Sequence, residues 1–232
     1  MKRFCFVTGT DTNVGKTTVG VGLLAAWNQR GFHVTGCKPV ETGIDENSET
    51  SETSDGARLA EAIGIPVSAA SFLRFRLAAC PETAALVAEQ EIRPEQLLEF
   101  CATRPGENIL VEGAGGLLVP LAKGFLAADF AQRLNARLLI VARTHLGTLN
   151  HTLLTLAEAR RRGLTVAGVV LNQTQMAVGN EENDVPRLVR QHGGLQPFGP
   201  LPFSRAQTAN DWAALTVAHL PVDDLFACCF GP

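Results

Sequence analysis

Several features are missing from the sequence, and each absence excludes a class of protein. None of the six cysteines forms a CxxC pair, which argues against a zinc site or a disulfide framework and predicts reduced thiols in a cytoplasmic protein. No apolar stretch is long enough to span a bilayer, and the N-terminus lacks the pattern of a signal peptide. The formal net charge of −3 provides no overall field that would attract nucleic acid or anionic membranes. We therefore expect neither as a partner.

The chain has the length and apolar content of one α/β domain covering residues 1–232, since 46% of its residues are apolar. Apolar segments alternate with segments of helical pattern, which predicts a mostly parallel sheet flanked by helices on both faces. Strands are predicted at residues 4–7, 33–38, 108–111, 137–142, 165–171 and within 198–203. Helices are predicted at residues 14–30, 55–64, 83–90, 94–102, 125–135, about 147–161 and 185–192. Residues 44–54 are predicted to form a solvated acidic loop and 66–83 an irregular segment, while the tail from Pro221 carries no functional signal.

The stretch Phe4–Thr18, FCFVTGTDTNVGKTT, has the layout of a phosphate-binding loop between a strand and a helix. Gly15 lets successive backbone N–H groups converge on an anion at the positive end of the helix dipole. Lys16 adds a full positive charge, and the hydroxyl of Thr17 is a hard oxygen suited to Mg²⁺. The strict motif has glycine at the position of Thr10, so the prediction depends on the strand and helix that flank the loop.

Two carboxylates are candidates for holding a metal ion beside bound phosphate. Glu112 directly follows the apolar strand NILV, at the position where most P-loop enzymes have aspartate. The glycines at 113, 115 and 116 indicate a close approach of the backbone to a ligand. Asp55 opens a helix and could bind Mg²⁺, which is usually held by one or two protein carboxylates. A solvated strand end for Glu112 and a plain helix cap for Asp55 remain open alternatives.

Three further positions follow predicted strands. Lys38 ends an interior strand, where a lysine is costly unless it meets an anion or water. The segment Gly147–Asn150 begins a helix and could bind an anion or form an ordinary cap. Asn172 could hydrogen-bond the edge of a base. The neighbouring His145 and His151 are interpreted as packing or surface residues rather than general bases.

Together these segments resemble the dethiobiotin synthetases, ATP-dependent enzymes of biotin biosynthesis with a P-loop NTPase-like fold. The resemblance extends over nearly the whole chain, and the order and spacing of its first motifs are highly specific. It is carried by GTDTNVGKT (Gly9–Thr17), GCKPVETG (Gly36–Gly43), SD (Ser54, Asp55), LVEGAGGLLVPL (Leu110–Leu121), LGTLNH (Leu146–His151), GVVLN (Gly168–Asn172) and GPLPF (Gly199–Phe203).

The resemblance implies a homodimeric cyclo-ligase that uses Mg²⁺ and ATP. Its substrates would be 7,8-diaminononanoate and CO₂ or bicarbonate, and its products dethiobiotin, ADP and phosphate. An amine of the substrate would take up CO₂ as a carbamate, which would attack the γ-phosphate and form a carbamic-phosphoric anhydride. The second amine would then close the ring and release phosphate.

The resemblance also implies roles for individual residues. Lys16 and Lys38 would be catalytic, and Thr17, Asp55 and Glu112 would hold the metal. ATP would be bound by Asn13, Val14, Gly15, Lys16, Thr17, Thr18, Asp55, Glu112, Gly113, Ala114, Gly115, Asn172, Gln173, Pro202, Phe203 and Ser204. The second substrate would be bound by Thr12, Thr42, Gly147, Thr148, Leu149 and Asn150, the last four acting on a substrate bound mostly by the other subunit. Thr42 stands where some members have serine, so the hydroxyl is kept and an extra methyl group enters the substrate pocket. Gln173 stands where aspartate is common, which leaves the base preference open.

Two other functions compete with this interpretation. An ATP-driven switch of the partition type would carry a further lysine at the position of Asp11. A cobyrinate-type amide-forming synthetase would add a glutaminase domain, for which 232 residues are expected to leave no room. We therefore expect the synthetase function over either alternative.

Overall fold

The computed structural model describes residues 1–44, 54–176, 184–206 and 208–231. Apart from its two end residues, the predicted acidic loop at 44–54 lies outside these ranges. The strands are β1 Arg3–Gly9, β2 Val34–Thr42, β3 Ser71–Phe75, β4 Asn108–Gly116, β5 Pro120–Ala122, β6 Phe125–Leu126, β7 Arg137–Arg143, β8 Val166–Asn172 and β9 Phe198–Leu201. The helices are α1 Lys16–Gln29, α2 Asp55–Ile63, α3 Val67–Ala70, α4 Pro81–Val87, α5 Pro94–Ala102, α6 Ala127–Arg133, α7 Thr148–Arg161, α8 Val185–Gly193, α9 Ala209–His219 and α10 Val222–Phe230.

Seven of these strands form a single sheet in the order β3-β2-β4-β1-β7-β8-β9. Every neighbouring pair in it is parallel, as the alternation of strands and helices predicted. Strands β5 and β6 form a separate antiparallel pair. Because all seven strands point the same way, their carboxyl ends meet at one edge of the sheet, where open α/β sheets bind ligands.

Helices pack on both faces of the sheet, which confirms the predicted P-loop NTPase-like architecture. Side chains alternate along a strand, so successive residues of β1 enter different cores. Cys5 and Val7 pack in one core with Trp27 of α1 and with α9 and α10. Phe6 enters the opposite core and meets the ring of Phe130 of α6, with 5.8 Å between ring centroids.

The prediction of an irregular segment at 66–83 is wrong. Ser71–Phe75 forms the edge strand β3 and pairs in parallel with β2. Its buried residues Ser71, Leu73 and Phe75 alternate with exposed or half-buried Phe72 and Arg74. This period of two spans only five residues, and the backbone partner that stabilises it is distant in sequence, so local pattern alone did not identify it.

Three helical regions also differ from the prediction. The helix predicted at 125–135 begins at Ala127, because Phe125 and Leu126 pair with β5. Helix α9 was not predicted, and the tail from Pro221 forms helix α10. All six cysteines are free thiols. Within the described ranges no single helix is long and apolar enough to cross a membrane, although α9 and α10, bent by 94° to each other, pass that test as a pair on length and composition only.

Candidate active site

The loop between β1 and α1 is shaped by a glycine in a left-handed conformation. Gly15 has φ of +88° and directly precedes α1. A Cβ atom at this position would lie 2.1 Å from Nδ2 of Asn172, so only glycine fits. Nδ2 of Asn172 donates a hydrogen bond of 2.9 Å to the carbonyl oxygen of Val14, which ties the loop to the end of β8. The backbone that would cradle a phosphate is therefore held in place by a neighbouring strand.

The Gly15→Ala variant is expected to lose nucleotide binding. The new methyl group would both collide with Asn172 and force alanine into the left-handed region, whereas only the second cost arises in the matched control Gly31→Ala. Gly31 has φ of +79° at the other end of α1 and nothing within 4 Å of an added Cβ. Each variant should lose roughly 1–2 kcal/mol of unfolding free energy from the backbone alone. Calorimetric titration with ATP and urea unfolding would test this, and equal nucleotide affinities in the two variants would contradict it.

Four polar side chains from separate elements converge next to this loop. Oγ1 of Thr17 donates a hydrogen bond of 2.7 Å to Oε1 of Glu112, which lies in the middle of β4 and not after its end as predicted. Nζ of Lys38, on β2, donates to the same oxygen at 2.7 Å and also to Oδ2 of Asp55 at the start of α2. The side chains of Lys38 and Glu112 are 5% and 0% exposed, and that of Asp55 is 39% exposed. Neighbouring positions of β2, β4 and β1 in the sheet bring this network together.

The charges of the network stabilise one another. Burial by itself lowers the pKa of Lys38, but the nearby Glu112 and Asp55 outweigh it and hold that pKa well above its usual value. Burial would raise the pKa of Asp55, yet the charge of Lys38 and hydrogen bonds from Lys38 and Thr17 lower it. The pKa of Lys16 is lowered, chiefly because this side chain is buried. Lys38 is thus an ammonium and Asp55 a carboxylate at neutral pH.

The oxygen atoms of Thr17, Asp55 and Glu112 fit a magnesium ion. They are hard ligands, and Oε2 of Glu112 is buried without a hydrogen-bond partner among the described residues, so it can accept a further interaction. The described part of the chain contains no group of three or more His, Cys, Asp or Glu side chains that could hold a metal. A metal at this site would therefore complete its shell with water or with oxygen atoms of a bound phosphate.

A cavity of about 340 Å³ opens beside this network, within the size range of small-molecule sites. It brings together many of the residues singled out in the sequence, from the phosphate-binding loop to the segment after β9. It is lined by Asn13, Gly15, Lys16, Thr17, Thr18, Asp55, Arg58, Glu112, Asn172, Gln173, Thr174, Pro202, Phe203, Ser204 and Trp212. Arg58, Thr174 and Trp212 were missed. Arg58 lies one helical turn after Asp55 and Thr174 follows Gln173, so both had a local signal, whereas Trp212 had none.

Some predicted nucleotide-binding residues lie outside the lining of this cavity. Val14 is buried and contacts Asn172 through its carbonyl group. Gly113, Ala114 and Gly115 continue β4 beyond Glu112. An added Cβ at Gly113 would lie 2.8 Å from the ring of Phe6, so packing within the sheet already requires a glycine there. The predicted contacts of residues 113–115 with a nucleotide remain predictions.

The residues predicted for the second substrate are also separate from this cavity. Thr42 ends β2 and is half-buried, while Thr12 lines a second cavity of about 330 Å³. That cavity also contains residues of α7 and Leu117, Leu118 and Val119. At the start of α7, Gly147 has φ of +90° and Thr148 is buried, with its Oγ1 donating to the carbonyl oxygen of Arg143 at 2.8 Å. Leu149 is half-buried and Asn150 exposed.

A family model and several curated proteins match most of this chain. A family model described as an AAA domain matches residues 3–210. An ATP-dependent dethiobiotin synthetase from Haloferax mediterranei is 36% identical over 224 residues, covering 95% of this chain and 93% of that protein. Proteins of the same name from Anaeromyxobacter sp. (strain K) and Aquifex aeolicus are 42% and 36% identical over 74% and 83% of this chain, and 77% and 86% of their own lengths.

Solved structures share the fold at low sequence identity. A ParA family ATPase from Chlorobium tepidum TLS matches with a TM-score of 0.55 and 12% identity, over 96% of this chain and 92% of that one. A cobyrinic acid a,c-diamide synthase from Mycobacterium smegmatis, with bound ADP and magnesium, matches with a TM-score of 0.50 and 15% identity, over 92% of both chains. At these identities the likeness shows the fold alone.

Proposed function

Because this chain belongs to the family of ATP-dependent dethiobiotin synthetases, we propose that it joins CO₂ to 7,8-diaminononanoate and closes the cyclic urea of dethiobiotin, converting ATP to ADP and phosphate. The observation that carries the proposal is the buried network of Thr17, Glu112, Lys38 and Asp55 beside the phosphate-binding loop. Together with Lys16 of that loop, it provides two lysine side chains and three hard oxygen ligands that would surround the end of a nucleotide triphosphate. The structural likeness to a ParA family ATPase and a diamide synthase concerns the fold only and favours neither alternative function.

The proposed reaction has three steps, and atoms and charges are conserved in each. One amine of 7,8-diaminononanoate adds to CO₂ and loses a proton, which gives a carbamate. A carbamate oxygen attacks the γ-phosphorus of ATP, and ADP leaves as the carbamic-phosphoric anhydride forms. The second amine then attacks the carbonyl carbon, phosphate departs, and loss of a proton leaves the ring. The protein contributes mainly by positioning the reactants and by neutralising charge, as in other phosphoryl transfers.

The phosphate-binding loop and the network beside it would bind different parts of the reactants. Lys16 and the backbone N–H groups of the loop at 13–18 would hold the phosphates, and Lys38 would stabilise the carbamate and the phosphoryl group in transfer. Thr17, Asp55 and Glu112 would hold Mg²⁺, which supplies charge neutralisation to the phosphate oxygens when bound. Since Lys38 and Asp55 are both ionised at neutral pH, these roles need no prior proton transfer within the protein.

Part of the cavity lining would receive the nucleobase. Asn172 uses its amide nitrogen to hold Val14, so its carbonyl oxygen is the atom left to accept from an exocyclic amino group. Gln173 and the segment 202–204 line the same cavity and would enclose the adenine. Thr12 and Thr42 would contact 7,8-diaminononanoate. We further propose a homodimer in which the start of α7 in one subunit receives the carboxylate of a substrate bound mostly by the other.

Phosphate release should be slow with Mg·ATP alone and rise by at least about tenfold when both 7,8-diaminononanoate and bicarbonate are added, because the attacking carbamate is made from substrate. A coupled phosphate assay and mass spectrometry would follow the two products. The ¹³C of labelled bicarbonate should appear in the ureido carbon of dethiobiotin. Addition of either co-substrate alone serves as the control. Rapid phosphate release with Mg·ATP alone would contradict the proposal and favour an ATPase switch.

A further inference from the structure

Glu41 is a buried carboxylate that the proposed reaction does not use. It lies on β2 between Val40 and Thr42 and is 4% exposed. Its Oε1 accepts a hydrogen bond of 2.6 Å from the backbone N–H of Asp55, and its Oε2 accepts one of 3.3 Å from that of Gly56. The hydroxyl of Ser71 on β3 approaches Oε2 at 3.5 Å. The carboxylate therefore joins the start of α2 to two strands of the sheet.

The first turn of α2 rests directly on these strands. A Cβ atom at Gly56 would lie 2.6 Å from Cβ of Ser71 and 3.2 Å from Oε2 of Glu41, so this helix start could not approach the sheet with a larger residue. The first N–H groups of a helix lack intrahelical partners and carry partial positive charge. A carboxylate accepts their hydrogen bonds and compensates that charge. A second cap is independent of Glu41, since Oγ of Ser54 accepts from the N–H of Ala57 at 3.1 Å.

Both the backbone and the side chain of Asp55 are therefore fixed by hydrogen bonds. Glu41 binds its backbone N–H, and Lys38 binds its carboxylate. We propose that Glu41 is a positioning residue, which fixes the first turn of α2 so that the carboxylate of Asp55 is aimed at the magnesium ion of the nucleotide site. This inference rests on the proposed function for the presence of that ion.

Manganese binding tests the proposal without depending on turnover. Mn²⁺ is titrated into the protein saturated with ADP, and free Mn²⁺ is measured by electron paramagnetic resonance. Partners that orient a metal ligand commonly change metal affinity by about 10–100-fold, so Glu41→Ala should raise the Kd for Mn²⁺ by at least about tenfold. Glu41→Gln keeps the shape and one acceptor oxygen, and its Kd should fall between those of wild type and Glu41→Ala. The affinity for ADP without metal should stay within about threefold, since Glu41 does not line the cavity.

Ser54→Ala is the matched control, because it removes the other cap of the same helix without touching the N–H of Asp55. It should change the Kd for Mn²⁺ by less than about threefold, whereas a general loosening of α2 would weaken metal binding equally in both variants. The proposal would be overturned if Ser54→Ala and Glu41→Ala raised the Kd for Mn²⁺ equally. It would also be overturned if Glu41→Ala and Glu41→Gln were both folded and both left that Kd unchanged. A wrong proposed function would give a different result, because wild-type protein would then bind Mn²⁺ with ADP but form no dethiobiotin in the turnover assay.

Discussion

Lys38→Met is expected to lower kcat by about 10²-fold or more while leaving the affinity for ATP within about threefold. Lys38 projects from β2, whereas the phosphate-binding loop follows β1, and Lys38 is not among the residues that line the nucleotide cavity. Its charge should matter most when negative charge is redistributed between carbamate and phosphoryl group in the transition state. Methionine keeps most of the unbranched side chain and removes the charge together with the hydrogen bonds that Nζ donates to Glu112 and Asp55. Steady-state rates and calorimetric titration with ATP would separate the two effects.

The structure adds a second consequence of this substitution. Lys38 pairs with both Glu112 and Asp55, and loss of one partner from a buried ion pair such as Lys38–Glu112 commonly costs about 3–5 kcal/mol of unfolding free energy. Urea unfolding must therefore accompany the kinetics, with rates measured where the variant is fully folded. Lys38→Arg is the control, because it retains the charge and should recover most of the stability while moving the donor atoms. If the affinity for ATP collapsed while kcat held, the role of Lys38 would be wrong.

Two inactive variants are expected to restore activity to each other when their subunits are exchanged. Lys16→Ala removes the phosphate-binding charge, and Asn150→Glu places a negative charge at the start of α7, where the substrate carboxylate is proposed to dock. If each active site combines one subunit's loop with the other's helix, a mixed dimer has one site with both lesions and one with none. Random exchange makes about half of the dimers mixed, so roughly a quarter of the wild-type activity should return.

The structure decides which residue of α7 to change. Thr148 is buried and donates a hydrogen bond to the carbonyl oxygen of Arg143, so a glutamate there would disturb the fold as well as the site. Asn150 is exposed two residues later in the first turn of the helix. Asn150→Gln is the neutral control and should keep most of the activity. With exchange verified by mass spectrometry, an inactive mixture would show that the helix does not serve the partner's site, and the nucleotide site would be unaffected by that result.

The sequence by itself determined the parts of this protein that depend on local structure. The phosphate-binding loop is contiguous, and its conformation follows from Gly15 and the helix that begins beside it. The interior strands are short apolar runs because both of their faces are buried, so β1, β4, β7 and β8 could be identified from composition alone. Asn172 ends β8 as predicted, but the predicted strand ends at Lys38 and Glu112 were wrong, because β2 continues to Thr42 and β4 to Gly116.

Only the tertiary structure decided which of these residues meet. The strand order β2-β4-β1 brings Lys38, Glu112 and Thr17 within hydrogen-bonding distance, and the order of strands is not encoded in the pattern of any one segment. The same reason explains why β3, Trp212 and the contact of Glu41 with α2 were missed. Side-chain periodicity indicates which face of a helix or strand is buried. Which element packs against that face depends on contacts between segments far apart in the chain.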